Sequence, residues 1–139
     1  MDTMGTETFG KLWEIMRRNK EVEKAYDNAA KSEENKKLGD YFRRKSNQWK
    51  KFGDSLKIKV MAAFPSGVRP KEEMDIMEIP SLDNGATTIK KFSQRERAEV
   101  EEYRKILEEQ KLPFEIYQII RKHKMWIEVD LSKSMLGPV

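Results

Sequence analysis

The residues of this chain that could do chemistry are one histidine and a few acids lying on otherwise apolar helical stripes. Iron and manganese accept mixtures of carboxylate and imidazole ligands. In helical bundles such a site takes a glutamate from each of two helices and a Glu-x-x-His pair from each of the other two. The residue three positions before His123 is Ile120, and the chain contains no Glu-x-x-His. The usual ligand set is therefore incomplete, although a one-metal site built from Glu23, Glu96, Glu99 and His123 stays open as an alternative.

A lysine stands where a metal site would need acids. Lys45 lies in the middle of the second apolar stripe, and a buried charge must be paired. We expect its ammonium to compensate an inward carboxylate, from Glu23, Glu96 or Glu99, in place of a metal ion. The sequence thus favours a metal-free polar core, with no cofactor; iron or manganese is the alternative. Further candidates for this polar core are Asn19, Tyr26, Tyr103 and Asp130.

Other catalytic constellations are missing from the sequence. There is no second histidine for a proton relay, no glycine-rich phosphate loop, no cysteine, and no serine in a nucleophile-elbow setting. His123 by itself is better explained as a hydrogen-bonded structural side chain than as a ligand. The sequence therefore favours a protein that is not an enzyme.

Four predicted helices position these residues. Apolar side chains recur at three- and four-residue steps over residues 7–31, 35–63, 87–110 and 113–136, which is typical of amphipathic helices. Phe64-Pro65 and Leu112-Pro113 interrupt the pattern because proline cannot continue helical hydrogen bonding. The breaks after residues 31 and 110 are short and predict antiparallel pairs. Residues 64–86 are predicted to form a long crossover between the two pairs.

Segments of the four predicted helices resemble a known family. The segments that carry the resemblance are EVEKAYDNAA, SNQWKKFGDSLKIKV, RERAEVEEYRKILEEQKLP and IYQIIRKHKMWIEVDL. They are similar to the four helices of a group of uncharacterised bacterial ferritin-like bundles. The resemblance implies an all-α, ferritin-like four-helix bundle in one domain, residues 1–139, with a long crossover between its two antiparallel pairs. It implies no particular activity.

Composition limits the compartment and the partners. The chain has 139 residues, 28 basic against 24 acidic, and a net charge of +4. We expect a cytoplasmic protein, because the sequence has no cysteine, no run of about 18–20 apolar residues and no signal-peptide pattern. The basic stretch at residues 36–59 is interpreted as a solvated helix face, and the interleaved acids of the third helix disfavour nucleic acid as a partner.

Two tryptophans indicate self-association. Trp13 lies one step off the main stripe of the first helix, and Trp126 one step off that of the fourth. If both are exposed, the apolar surface is wider than one bundle covers, and such patches commonly mark interfaces. We therefore expect a homo-oligomer, most simply a dimer, that acts through self-association or partner binding.

Overall fold

A computed structural model of the chain describes residues 6–63 and 85–136. These residues form four helices and no strand: α1 (Thr6–Ser32), α2 (Lys36–Ala63), α3 (Gly85–Glu109) and α4 (Phe114–Leu136). The prediction of an all-helical chain with four helices is confirmed, and every helix bound lies within two residues of the predicted range. Most of the predicted crossover, residues 64–84, lies outside the described residues. Among the described residues no helix is long and apolar enough to cross a membrane.

Short connections fold the helices into two pairs. Between α1 and α2, the side-chain Oδ1 of Asn35 accepts a hydrogen bond from the backbone N–H of Leu38 at 3.1 Å, so Asn35 caps α2. Gly39 is buried where the two helices meet, and a Cβ there would lie 3.7 Å from the carbonyl oxygen of Ala30. Pro113 directly precedes α4, and its carbonyl accepts the N–H of Tyr117 at 2.9 Å. Proline is tolerated at the start of a helix because the N–H groups there have no acceptor within the helix.

Neighbouring helices run antiparallel around a square. Ser46 of α2 donates to the carbonyl of Glu23 in α1, and Lys59 of α2 pairs with Glu115 at the start of α4. Between α1 and α3, Thr8 contacts Gln110 near one end, whereas Tyr26 stacks on Phe92 toward the other. The order around the bundle is therefore α1, α2, α4, α3. It places α2 and α3 at opposite corners, where they reach each other across the core.

The core lies between these four helices and contains aromatic side chains at its centre. Tyr26 stacks on Phe92 with ring centroids 3.7 Å apart, and Phe42 packs beside both rings. Trp49 is fully buried. The apolar stripe of α1 (Phe9, Leu12, Ile15, Met16, Val22, Tyr26 and Ala29) is buried. So is that of α4 (Ile116, Ile120, Ile127 and Leu131), apart from Ile119, which is half-buried, and Met135, whose side chain lies outside the described residues. Burial of these stripes is the main stabilising contribution to the bundle.

Candidate functional site

Glu96 is the centre of a buried polar cluster that involves all four helices. Its side chain is 3% exposed and projects from α3. The Tyr26 hydroxyl of α1 donates to its Oε2 at 2.7 Å, and the Trp49 indole N–H of α2 donates to the same oxygen at 3.2 Å. Hydrogen bonds to a carboxylate are stronger than those between neutral groups. The cluster therefore satisfies a charge that would be costly to bury alone.

Lys45 supplies the compensating positive charge. Its Nζ lies 3.1 Å from Oε2 of Glu96 and also donates to Oδ2 of Asp130 on α4. The ammonium faces the ring of Trp126, 4.7 Å from its centroid, a cation–π arrangement. Burial opposes the charged form, but Glu96 and then Asp130 outweigh it and raise the pKa of Lys45. Lys45 therefore stays protonated, and of the three carboxylates predicted to pair with it, Glu96 is the one it contacts.

Glu99, one turn after Glu96, is bound by a different cation. Nε of Arg18 donates to its two carboxylate oxygens at 2.8 and 3.1 Å. Burial raises the pKa of Glu99, and Arg18 opposes the shift. Glu21 is a further buried acid on α1, which Arg95 of α3 contacts at 2.6 Å. These contacts make the α1–α3 boundary a row of ion pairs.

A second buried cluster joins Tyr103, Asn19 and His123. The Tyr103 hydroxyl donates to Oδ1 of Asn19 at 2.9 Å and lies 3.0 Å from Nδ1 of His123. With the Asn19 amide oxygen assigned toward Tyr103, the one hydrogen of the hydroxyl is used, and Nδ1 of His123 is assigned as a donor to the Tyr103 oxygen. Nε2 of His123 then carries the lone pair. It has no hydrogen-bond partner among the described residues, and neither has Nδ2 of Asn19.

Aromatic rings enclose the His123 imidazole. Phe52 stacks on it at 3.7 Å between centroids, Trp49 meets it edge-on at 4.6 Å, and Trp126 lies 5.7 Å away. Burial, and then the charge of Lys45, lower the pKa of His123 to about 3. The side chain is therefore neutral at physiological pH. Its surroundings are those of a structural histidine.

The remaining predicted residues lie at the edges of these clusters. Glu23 is partly buried and pairs with Lys20 of its own helix at 3.2 Å, so it does not join Glu96. Trp13 and Trp126 are half-buried and pack against the core rather than standing free on the surface. The most exposed large apolar side chains lie elsewhere, with Phe114 at 72% and Ile58 at 67% exposure.

The four candidate metal ligands are not brought together. Glu96 and Glu99 are both buried on α3, but each is committed to its own cation, Lys45 and Arg18 respectively. Glu23 pairs elsewhere, and His123 is bound to Tyr103. Across residues 6–63 and 85–136, no group of three or more His, Asp or Glu side chains is placed to hold a metal ion. As placed in the structure, these four residues therefore do not form a single ligand set.

Several participants were missed from the sequence. Its position places Trp49 on the apolar stripe of α2, yet its N–H is a donor to Glu96. Arg18, Glu21 and Arg95 were not singled out. The signal available for Arg18 was its position one turn from Glu14 and Val22 on the edge of the α1 stripe. A charge at such an edge indicates an inter-helix pair only once the facing helix is known.

The chain was also compared with known proteins. No family model, no curated protein and no solved structure matches it. The ferritin-like resemblance therefore stays a prediction, and what the protein does must be argued from its own residues.

Proposed function

We propose that this protein is a non-catalytic helical bundle that acts by association, with a buried ion cluster in the place of a metal site. The observation that carries the proposal is Lys45, whose ammonium lies between Glu96 and Asp130 at the centre of the bundle. A cation at this point satisfies the acids that a metal ion would otherwise bridge. Tyr26 and Trp49 complete the coordination of Glu96 by hydrogen bonds.

A ferritin-like connection between the helix pairs belongs to this proposal. Lys59, near the end of α2, pairs with Glu115 at the start of α4. Phe92, near the start of α3, stacks on Tyr26 toward the end of α1. The end of α2 and the start of α3 are thus at opposite ends of the bundle, about 35 Å apart for helices of this length. We propose that a single long crossover joins the two pairs, as in one-crossover bundles; residues 64–84, which would form it, lie outside the described residues.

The outer face of α4 is the surface we assign to self-association. Four of its exposed side chains are large and apolar: Phe114, Tyr117, Met125 and Val129. Their spacing places them in one stripe, on the side of α4 away from Ile116, Ile120 and Ile127, which are buried. The exposed charges of Arg121 and Glu128 lie on the same face, so it combines large apolar side chains with polar neighbours, as protein interfaces do. A second copy of the chain presents the same stripe and covers it by two-fold symmetry.

Metal content tests the central claim. The purified protein, incubated with ferrous iron or manganese and freed of excess metal, is expected to retain far less than one equivalent by plasma mass spectrometry. Lys45→Ala serves as the comparison, because it removes the cation that Glu96 and Asp130 share and leaves both acids in place. Near-stoichiometric metal in the unmodified protein would overturn the proposal.

Metal binding is the second candidate, and one observation favours it. Nε2 of His123 is buried without a partner among the described residues, and an unprotonated imidazole nitrogen is the form that ligates a metal. On this alternative, iron or manganese bound in the core would support a redox or storage role. His123→Ala would then lower metal retention, whereas unchanged retention would remove His123 from the site.

A further inference from the structure

The outer face of α2 carries a repeating pattern of basic side chains. Basic doublets begin at residues 36, 43 and 50, and a single lysine follows at residue 57, so that positive charge recurs every seven residues: Lys36-Lys37, Arg43-Arg44, Lys50-Lys51 and Lys57. All seven side chains are exposed. Seven residues are almost two helical turns, so the pattern drifts by about 20° per repeat. The charges therefore form one nearly straight stripe, about 32 Å long at 1.5 Å per residue.

Most of the positive charge on this stripe is uncompensated. Helix α2 holds nine basic and two acidic residues, a balance of +7 that exceeds the +4 of the whole chain. Asp40 pairs with Arg43, and Asp54 with Lys50. Within the described part of the chain, no carboxylate lies within 4 Å of the ammonium or guanidinium groups of the remaining stripe members, which are Lys36, Lys37, Arg44, Lys51 and Lys57.

The acids of α3 do not neutralise this face. Helix α3 lies at the corner of the bundle opposite α2. Two of its exposed acids already form ion pairs within α3, since Arg104 pairs with both Glu101 and Glu108. The acids of the third helix, which disfavour nucleic acid when the sequence is considered alone, therefore lie on the other side of the molecule from α2.

Helix stability does not explain the pattern. Lys36 and Lys37 lie in the first turn of α2, which contains no acidic residue. Positive charge at this end opposes the helix dipole and destabilises the helix. Like charges repeated along one face also repel each other. A negatively charged partner along the stripe would offset both the unfavourable dipole interaction and the repulsion between like charges.

We propose that the outer face of α2 binds the phosphate backbone of double-stranded nucleic acid without reading its sequence. A stripe of about 32 Å spans about nine base pairs at 3.4 Å each. Ile58 is the one large apolar side chain exposed on the described part of α2, so little is available to insert into a lipid surface. No aromatic residue belongs to the stripe, so it offers no platform on which single-stranded bases would stack. This surface is separate from the α4 stripe and does not depend on self-association.

The test is fluorescence anisotropy with a labelled 20-base-pair DNA duplex at 50 and 200 mM NaCl. Four to five phosphate contacts predict binding at 50 mM that weakens roughly 100- to 500-fold at 200 mM. Lys50→Gln with Lys51→Gln should weaken binding at least 10-fold at 50 mM and flatten the salt dependence. The matched control is Lys90→Gln with Lys91→Gln, which neutralises an exposed lysine doublet on α3. It should leave affinity unchanged.

Three outcomes would overturn the proposal. The first is no duplex binding at 50 mM NaCl by a protein whose circular dichroism shows it folded. The second is equal loss of affinity in the α2 and α3 variants, which would indicate a general charge effect. The third is binding to vesicles of anionic phosphatidylglycerol with none to the duplex, which would assign the face to a membrane surface.

Discussion

Glu96 accepts hydrogen bonds from Tyr26 and Trp49 and forms an ion pair with Lys45. Lys45 also contacts Asp130. One carboxylate and one ammonium thus join side chains of all four helices. Both charges are buried. Loss of Lys45 would leave Glu96 without its counter-charge, whereas loss of Glu96 would leave Lys45 with Asp130 alone. The stability of this cluster therefore depends on the pairing of its buried charges more than on any single hydrogen bond.

Replacing Lys45 with Met should therefore strongly destabilise the fold. Removing one partner of a buried pair typically costs about 3–5 kcal/mol, because the other charge stays buried. Urea unfolding followed by circular dichroism measures the loss. The control is the double variant Lys45→Met with Glu96→Gln, which removes both charges and should recover most of the stability. A loss below about 1 kcal/mol for Lys45→Met alone would mean that the pair is not what holds the cluster.

His123 should make the fold sensitive to acid. Its pKa is about 3 in the folded chain, against an ordinary value of 6.5, so below pH 6.5 the unfolded chain binds a proton that the folded chain does not. Stability is therefore complete above pH 6.5 and falls as the pH drops toward 3, by about 1.4 kcal/mol per unit. Between pH 7 and 5 the loss attributable to His123 is about 2 kcal/mol.

Urea titrations of the unmodified protein and of His123→Gln isolate this effect. Glutamine keeps a polar group beside Tyr103 but does not titrate in this range. The difference in unfolding free energy between the two proteins should shrink as the pH falls, since the other titrating groups are common to both. A difference that stays constant from pH 7 to 5 would show that the imidazole is not held neutral by the fold.

Among the elements, α2 has the most demanding position. It packs against α1 and α4, supplies Lys45 and Trp49 to the core, and presents the basic stripe outside. Gly53 lies within it at a half-buried position. A Cβ at Gly53 would lie 4.0 Å from the Cβ of Asn19, an ordinary contact. Packing against α1 therefore does not require a glycine there.

Gly53→Ala should stabilise the protein by about 0.5–1 kcal/mol, because alanine loses less backbone entropy in a helix. The rise in the thermal midpoint by circular dichroism measures it. Gly10→Ala on α1, where nothing lies within 4 Å of the added Cβ, is the control for helix propensity alone. Destabilisation at Gly53 with stabilisation at Gly10 would mean that Asn19 and its partner Tyr103 are displaced by the added methyl group.

For the whole molecule, the α4 stripe predicts a dimer. Sedimentation velocity should give a dimer for the unmodified protein and a monomer for the double variant Met125→Glu with Val129→Glu, because both side chains are about half exposed, at 48% and 54%. Like charges placed across a two-fold axis repel.

Ile58→Glu provides the matched control for the dimer. It places the same charge at an exposed apolar position on α2, outside the α4 stripe, and should leave the dimer intact. A monomeric unmodified protein at high concentration, or dissociation caused equally by Ile58→Glu, would remove the α4 stripe as the association surface.

The sequence by itself determined the helices of this protein. Apolar residues at three- and four-residue steps, broken at Asn35 and Pro113, predict the four helices and their bounds closely, because helix formation and its interruption depend on residues within a few positions. The same stripes predict that Lys45, Glu96 and Tyr103 point inward, and all three are buried.

The tertiary structure decided which side chains meet. Sequence spacing left Lys45 with three equivalent carboxylates, and only the antiparallel order of helices gives it Glu96 while Arg18 takes Glu99. The same helix order packs Trp13 and Trp126 against the core and places the acids of α3 away from the basic face of α2. Periodicity fixes the direction of a side chain relative to its own helix, but contact between helices depends on their order and axial offset. Those are set by packing of the whole core.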